Sequence, residues 1–348
     1  MRRWTGFLAL ALGLLVLTLG PSVGRSAGPA EAPRTVTILV GDARLDFRDL
    51  GGPGRPLLLI PGYAVTMDMW DPIFVDRLAA RSRVILMDNR GMGSAKAPDG
   101  PMTISQMARD AAGLLAALGL AKADVLGWSM GGMIAQELAL ARPDLVGSLA
   151  LYATVPDNQG LMPVLERMAS MTPDQFHKAL FPATWAAAHP DIFSRLPRPV
   201  RPPDPEVVAR QYAAMAGWNG TLERLSGLAG PVLLLVGADD WVCPVQESAR
   251  MAGTIPHARI QVLPQAGHWM MHQYPEEMAR LVEEFLAPGR SEGLGHRPVS
   301  RAVEPGSGLG QQSTLPRPRP AAPLSWNGEG RALLVSSTAA EHDPEKNI

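Results

Sequence analysis

A single cysteine, Cys243, occurs in the 348 residues. An intramolecular disulfide is therefore excluded, and the core has to hold without covalent staples. No cysteine lies near residue 25, which argues against a lipid-anchored lipoprotein. Neither sign of charge dominates: 32 Lys and Arg face 33 Asp and Glu, a formal net charge of −1. Nucleic-acid binding, which calls for a strongly basic face, is not expected. The balance likewise gives no attraction to acidic membranes or phosphate. Long apolar runs are missing too. The longest, Phe7–Leu19, falls short of the roughly 20 residues a spanning helix needs, so no stable membrane span is expected in the mature protein. Internal repeats and clustered metal-ligand sets are absent from the sequence, and neither a metal nor an organic cofactor is expected.

What is present is apolar enough for a large core. Hydrophobic residues make up 46% of the chain, and the length suits one large α/β domain with additions or two modest domains. Arg2 and Arg3, the Phe7–Leu19 run and the small residues Ala27, Ala30 and Ala32 have the layout of a secretory signal peptide. Residues 1–32 are accordingly expected to be a signal that exports the protein to the periplasm or medium, with an uncleaved anchor as the alternative. Ala30-Glu31-Ala32 fits the cleavage rule, although Pro33 would follow the cut. At the other end, residues 289–348 are rich in Gly, Pro, Ser and Arg without periodicity, and are expected to be a disordered tail.

Between these ends, short apolar runs alternate with amphipathic ones. Thr35–Val40 and Leu45–Phe47 read as a hairpin turning at Gly41-Asp42. Leu57–Ile60, Val84–Met87, Val125–Gly127, Ser148–Tyr152, Val232–Val236 and Ile260–Leu263 read as strands buried on both faces. Ile104–Leu118 behind Thr103, Met130–Ala141 before Pro143, and Glu276–Leu286 behind Pro275 read as helices. The alternation predicts an α/β fold with a mostly parallel central sheet flanked by helices. Residues 33–154 and 228–288 are expected to form its core. Residues 155–227 contain no clear strand and several short, proline-separated helices, with an elbow at 196–205. They are expected to be an inserted helical cap, some of whose Met, Phe and Trp side chains line an apolar pocket.

The chemistry is carried by Gly127-Trp128-Ser129-Met130-Gly131. This G-x-S-x-G run follows a strand and opens a helix, which is the setting of a nucleophile held on a sharp, strained turn. A serine hydroxyl needs a base to attack at neutral pH. In chain order, an acid and then a histidine should follow, each just past a strand. Asp239 and Asp240 follow Val232–Gly237, and His268 comes 28 positions after Asp240, beyond the last strand. Asp240 is favoured as the acid and His268 as the base. Asp239 and His272 are the competing candidates. Two backbone N–H groups are needed for an oxyanion hole. Met130, the residue after the serine, is expected to supply one, and Tyr63, in the loop after Leu57–Ile60, the second. Trp128 and Trp269, the neighbours of nucleophile and base, are expected to contact substrate.

Gly127-Trp128-Ser129-Met130-Gly131-Gly132, Asp88-Asn89-Arg90-Gly91-Met92-Gly93-Ser94, Gly237-Ala238-Asp239-Asp240 with Pro244, and Gly267-His268 with Pro275-Glu276 together resemble the α/β-hydrolase superfamily. The resemblance runs from about Thr35 to Ala287 and implies that fold. It is strongest to the branch of 3-oxoadipate enol-lactonases, carboxylesterases and cofactor-free haloperoxidases, and the chain is also similar to proline-iminopeptidase-type sequences. It implies that Asp240, three residues beyond Gly237, is the acid. Pro61-Gly62 stands where many relatives carry His-Gly. Serine at the elbow argues against dehalogenase and epoxide-hydrolase chemistry. The expectation is a serine hydrolase cleaving an ester of a small, fairly apolar substrate through an acyl-enzyme. Aminopeptidase, lactonase or perhydrolase activity on the same triad, and a non-catalytic binding protein on the same fold, are the alternatives. Oligomeric state is not readable from the sequence.

Overall fold

The computed structural model describes residues 34–287, with 325–326 and 332–333 besides. The expected signal segment and nearly all of the expected tail lie outside the described residues. The chain divides into two units, Met1–Pro288 and Gly289–Ile348. In the second, Ser325–Trp326 and Ala332–Leu333 pair as a short antiparallel ladder.

The first unit is built on an eight-stranded sheet. Its strands are β1 (Val36–Val40), β2 (Ala43–Gly51), β3 (Pro56–Ile60), β4 (Arg83–Met87), β5 (Ala123–Trp128), β6 (Val146–Tyr152), β7 (Val232–Gly237) and β8 (Arg259–Leu263), in the spatial order β1-β2-β4-β3-β5-β6-β7-β8. β2 is antiparallel to both β1 and β4, and every other pairing is parallel. The fold is thus the expected α/β type with a mixed, mostly parallel sheet. β2 extends well past the expected Leu45–Phe47 because it has a partner on each side. Leu57, Leu58, Leu59 and Ile60 of β3 are all buried. Each contributes roughly 1.5–3 kcal/mol of burial free energy, which is why central parallel strands read as unbroken apolar runs.

Helices cover both faces of such a sheet, and local chemistry starts them. α1 (Pro72–Ala79), which the sequence reading passed over, has a proline in its first turn, and the Asp71 carboxylate accepts from the N–H groups of Ile73 and Phe74. Thr103 caps α2 (Ile104–Ala117) in the same way through the Gln106 N–H. α3 (Met130–Ala141) follows β5 directly.

Between β6 and β7 lies a helical insert: α4 (Leu161–Ala169), α5 (Pro173–Ala179), α6 (Ala183–Ala188), α7 (Ile192–Arg195) and α8 (Pro205–Ala216), closed by a 3-10 turn at Leu222–Gly227. Its ends are strapped together. The Thr221 N–H donates to the Pro156 carbonyl at 2.8 Å. Gln136 of α3 bridges the same two points, donating to the Val155 carbonyl and accepting from the Thr221 hydroxyl. Glu137, beside it, accepts from the Trp218 indole and the Arg224 guanidinium. The remaining helices are α9 (Val245–Thr254), α10 (Met270–Gln273) and α11 (Pro275–Leu286). α11 buries Met278, Ala279, Val282 and Phe285, a stripe at helical spacing. Among the described residues, no helix is long and apolar enough to cross a membrane.

The strand order decides where a site forms. From β3 the chain passes to β4 on one side and then returns to β5 on the other. The loops leaving β3 and β5 therefore diverge, opening a crevice beyond their carboxyl ends.

Candidate active site

Ser129 sits in that crevice, on the bend between β5 and α3. Its backbone is held at φ 55°, ψ −117°, a conformation disfavoured for any residue with a Cβ. Such strain costs about 1–3 kcal/mol and persists only where the surroundings enforce it. Here the Ser129 N–H donates to the Tyr152 carbonyl, while its carbonyl accepts from the Gly132 N–H and the Thr154 hydroxyl. The glycines around it have steric reasons. A Cβ on Gly127 would run into the Gly131 carbonyl and stand 2.8 Å from Ala135, and one on Gly131 would collide with the carbonyl of Ile60.

Parallel strand ends bring the other groups to the same edge. β7 delivers Asp240 three residues past its end, and β8 delivers His268 five residues past its own. The His268 Nδ1–H donates to Asp240, at 3.0 Å to Oδ2 and 3.2 Å to Oδ1. Its Nε2 lies 3.2 Å from the Ser129 hydroxyl, which donates to it. The ionised carboxylate only accepts, so it holds the proton on Nδ1 and leaves Nε2 free to act as a base. Asp240 is buried and also accepts from the N–H groups of Val242 and Cys243. Asp239 is exposed. His272 is directed elsewhere: its Nδ1 faces Asp71 at 3.2 Å, and the structure brings it to neither Ser129 nor Asp240.

The second donor position follows from strand register. β3 pairs with β5 so that Ile60 stands opposite Gly127, which sets Pro61 and Gly62 beside Trp128 and Ser129. A methyl group added at Gly62 would stand 3.3 Å from the Ser129 Cβ. Among the described residues, neither the Tyr63 nor the Met130 backbone N–H is engaged by another protein group. Met130 is the first residue of α3, so its N–H also carries the positive end of the helix dipole. Pro61 is held by Asn89, whose side-chain amide donates to the Pro61 carbonyl at 3.1 Å.

Trp128 and Trp269 are both buried and meet edge to face with ring centroids 6.0 Å apart. Both line a cavity of about 120 Å³ that also reaches Ser129, His268 and Gly62. One buried water needs about 10–15 Å³ on that scale, so the space suits a small organic molecule. Its walls are largely apolar, with Leu161, Leu165 and Met168 from α4 and Met215 from α8. Met168, Phe176 and Met215 therefore line it, among the aromatic and methionine side chains expected of the insert. Phe181 instead stacks on Trp185 and meets Phe193 edge to face. His177 also faces the cavity, and burial lowers its pKa, so it is neutral at pH 7. Burial raises the thiol pKa of Cys243, with the Asp240 charge adding to it, so the thiol beside Asp240 stays protonated. Among the described residues, no group of three His, Cys, Asp or Glu side chains is gathered as a metal ligand set.

Two contributors escaped the sequence reading. Tyr152, at the end of β6, is fully buried; its hydroxyl donates to the His268 carbonyl at 2.9 Å and accepts from the Met271 N–H. Burial drives its pKa well up, so it remains a neutral phenol. Thr154 holds the Ser129 carbonyl, as described above.

Comparison with known proteins gives a consistent picture. A family model described as "Alpha/beta hydrolase family" matches residues 57–281. A putative carbamate hydrolase, RutD, of Azorhizobium caulinodans is 32% identical over 257 residues, spanning 71% of this chain and 94% of that protein. A 2-hydroxymuconate semialdehyde hydrolase of Pseudomonas putida is 30% identical over 264 residues, spanning 72% of this chain and 93% of that protein. Among solved structures, a thermophilic esterase from Thermogutta terrifontis superposes with a TM-score of 0.64 at 30% identity, over 73% of this chain and 98% of that one. The enol-lactonase from Burkholderia xenovorans LB400 gives a TM-score of 0.64 at 25% identity, over 72% and 99%.

Proposed function

The chain belongs to the alpha/beta hydrolase family, and from that premise we propose that it is a serine esterase acting on a small, apolar acyl substrate. The observation that carries this reading is the continuous relay Asp240–His268–Ser129, with links of 3.0 and 3.2 Å, opening on a mostly apolar cavity.

His268 Nε2 takes the hydroxyl proton as Ser129 Oγ attacks the acyl carbonyl. The carbonyl oxygen becomes an anion and is met by the Tyr63 and Met130 N–H groups. Loss of one such donor typically costs about 10²–10³ in rate. His268 next protonates the departing alkoxide, and the alcohol leaves an acyl-enzyme on Ser129. Water, deprotonated by the same imidazole, attacks the acyl carbon and releases the acid. Asp240 stabilises the imidazolium in both halves of the cycle. Among the described residues that line the cavity there is no Asp or Glu. A cationic α-amine would therefore find no partner, which favours an ester over an aminopeptidase substrate. The relatives whose names are those of an esterase and an enol-lactonase support hydrolysis at an acyl carbon. Arg2, Arg3 and the run Phe7–Leu19 support export of the enzyme, which amino-terminal sequencing of the secreted form tests.

The deciding experiment is hydrolysis of p-nitrophenyl esters from acetate to decanoate by the protein and by Ser129→Ala. Turnover should fall by at least ~10³-fold in the variant, with circular dichroism unchanged. Equal rates in the two proteins would sink the assignment of Ser129.

A further inference from the structure

The loop from Pro61 to Thr66 carries an expected oxyanion donor, yet it belongs to neither a strand nor a regular helix. Three side chains fix its backbone. Asn89 donates to the Pro61 carbonyl at 3.1 Å, and Asp88 accepts from the Met67 N–H at 2.6 Å. Both follow β4 and belong to the body of the sheet. The third is Gln211 of α8, whose side-chain carbonyl accepts from the Ala64 N–H at 3.0 Å, across 147 residues of sequence. Ala64 lies at φ 58°, a left-handed conformation that a residue with a Cβ adopts reluctantly. A side-chain acceptor held against its N–H is what keeps it there. Gln211 is fully buried. Its position next to the loop is not needed to fill the cavity, which it does not line. Met215, four residues on and so on the same face of α8, does line it.

We propose that Gln211 is a positioning residue for the oxyanion hole, by which the helical insert sets the Tyr63 N–H. The Gln211–Ala64 bond ties the residue after Tyr63 to α8. A substrate packed against Met215 bears on the same helix. Occupation of the cavity and alignment of the oxyanion donor are thereby joined through one rigid element. The proposal rests on Ser129 being the nucleophile.

The test uses the full chain and a reagent that needs no knowledge of the natural substrate. An alkyl fluorophosphonate phosphonylates an activated serine: the Ser129 Oγ–P bond forms, fluoride leaves, and His268 takes the proton. Gln211→Met keeps the shape and removes the acceptor. Gln211→Asn keeps the amide but is one methylene too short, and serves if the methionine variant fails to fold. Each should be phosphonylated about 10–100-fold more slowly than the parent, the range expected when a donor is misplaced by about 1 Å. An alkyl trifluoromethyl ketone, which forms an oxyanion on Ser129, should bind more weakly by a similar factor. The matching methyl carbinol, which forms none, should bind unchanged. Slower labelling with equal weakening of both ligands would overturn the proposal in favour of a packing role, as would undiminished labelling in Gln211→Met. A parent protein that labels at Ser129 but cleaves no ester refutes the ester reading alone. A parent that does not label at Ser129 overturns the nucleophile assignment and this proposal together.

Discussion

Replacing Asp88 by Asn removes a proton-binding site from the interior and should change how stability depends on pH. The Asp88 carboxyl is buried, and desolvation raises its pKa from 3.8 to about 7. The Met67 N–H and the charge of Arg48 oppose the shift, while the charges of Asp68 and Asp46 add to it. A raised pKa means the folded state holds this proton more tightly than the unfolded chain does. The contribution to stability is thus complete below about pH 3.8 and is lost as pH rises through about 7. Across the whole window the loss amounts to roughly 4 kcal/mol, and between pH 5 and pH 8 to about 2–3 kcal/mol. Asparagine keeps the oxygen that accepts from Met67 but does not titrate. Urea unfolding of both proteins at pH 5, 6, 7 and 8 reads the effect, because every other group titrates in both. The parent should lose about 2–3 kcal/mol more than Asp88→Asn over that range, and the variant should be the more stable at pH 8. Parallel pH curves agreeing to within about 0.5 kcal/mol would refute the linkage.

Tyr152→Phe deletes one hydroxyl and leaves the His268 carbonyl and the Met271 N–H unpaired in a buried place. Unfolding free energy should fall by about 1–3 kcal/mol, and ester turnover by about tenfold with KM unchanged within twofold. Asp240→Asn should lower kcat by on the order of 10³–10⁴ at pH 7 without loss of fold, since the amide favours the wrong imidazole tautomer. Steady-state kinetics checks both. Gly131→Ala drives a methyl group into the carbonyls of Ile60 and Pro61. It should abolish turnover or yield insoluble protein, and a soluble variant of parental kcat would show that the bend tolerates a side chain.

Local features of this fold were legible in the sequence, and distant pairings were not. The bend at Ser129 announces itself within five residues, because a strand, two glycines and a helix are needed together to hold one strained residue. Thr103 and Pro275 marked helix starts for the same local reason, and Asp71-Pro72 carried the same signal for α1, unused. Choosing between Asp239 and Asp240, or between His268 and His272, depends on which side chain turns inward, and sequence spacing alone cannot separate neighbours one or four residues apart. The structure separates them by burial and by the pairing of His272 with Asp71. Tyr152 and Gln211 left no trace, since their partners lie 116 and 147 residues away in the chain. The insert was recognisable as helical, but helices of four to twelve residues broken by prolines show too little periodicity to say which methionines face the cavity.

The strap between Pro156 and Thr221 makes the insert a detachable cassette. Its two ends meet where the Thr221 N–H and hydroxyl reach the Pro156 carbonyl and Gln136 bridges them, so the chain leaves and re-enters the sheet at nearly one point. A segment joined this way can lengthen, shorten or be exchanged without shifting the strands on either side. The wall that the insert gives the cavity can then be rewritten, while the strand ends that carry Ser129, Asp240 and His268 stay where they are. Several linkages resist such trading, among them the bonds of Trp218 and Arg224 to Glu137 and that of the Trp269 N–H to the Leu180 carbonyl. The bond from Gln211 to Ala64 is a fitting that any replacement lid has to reproduce.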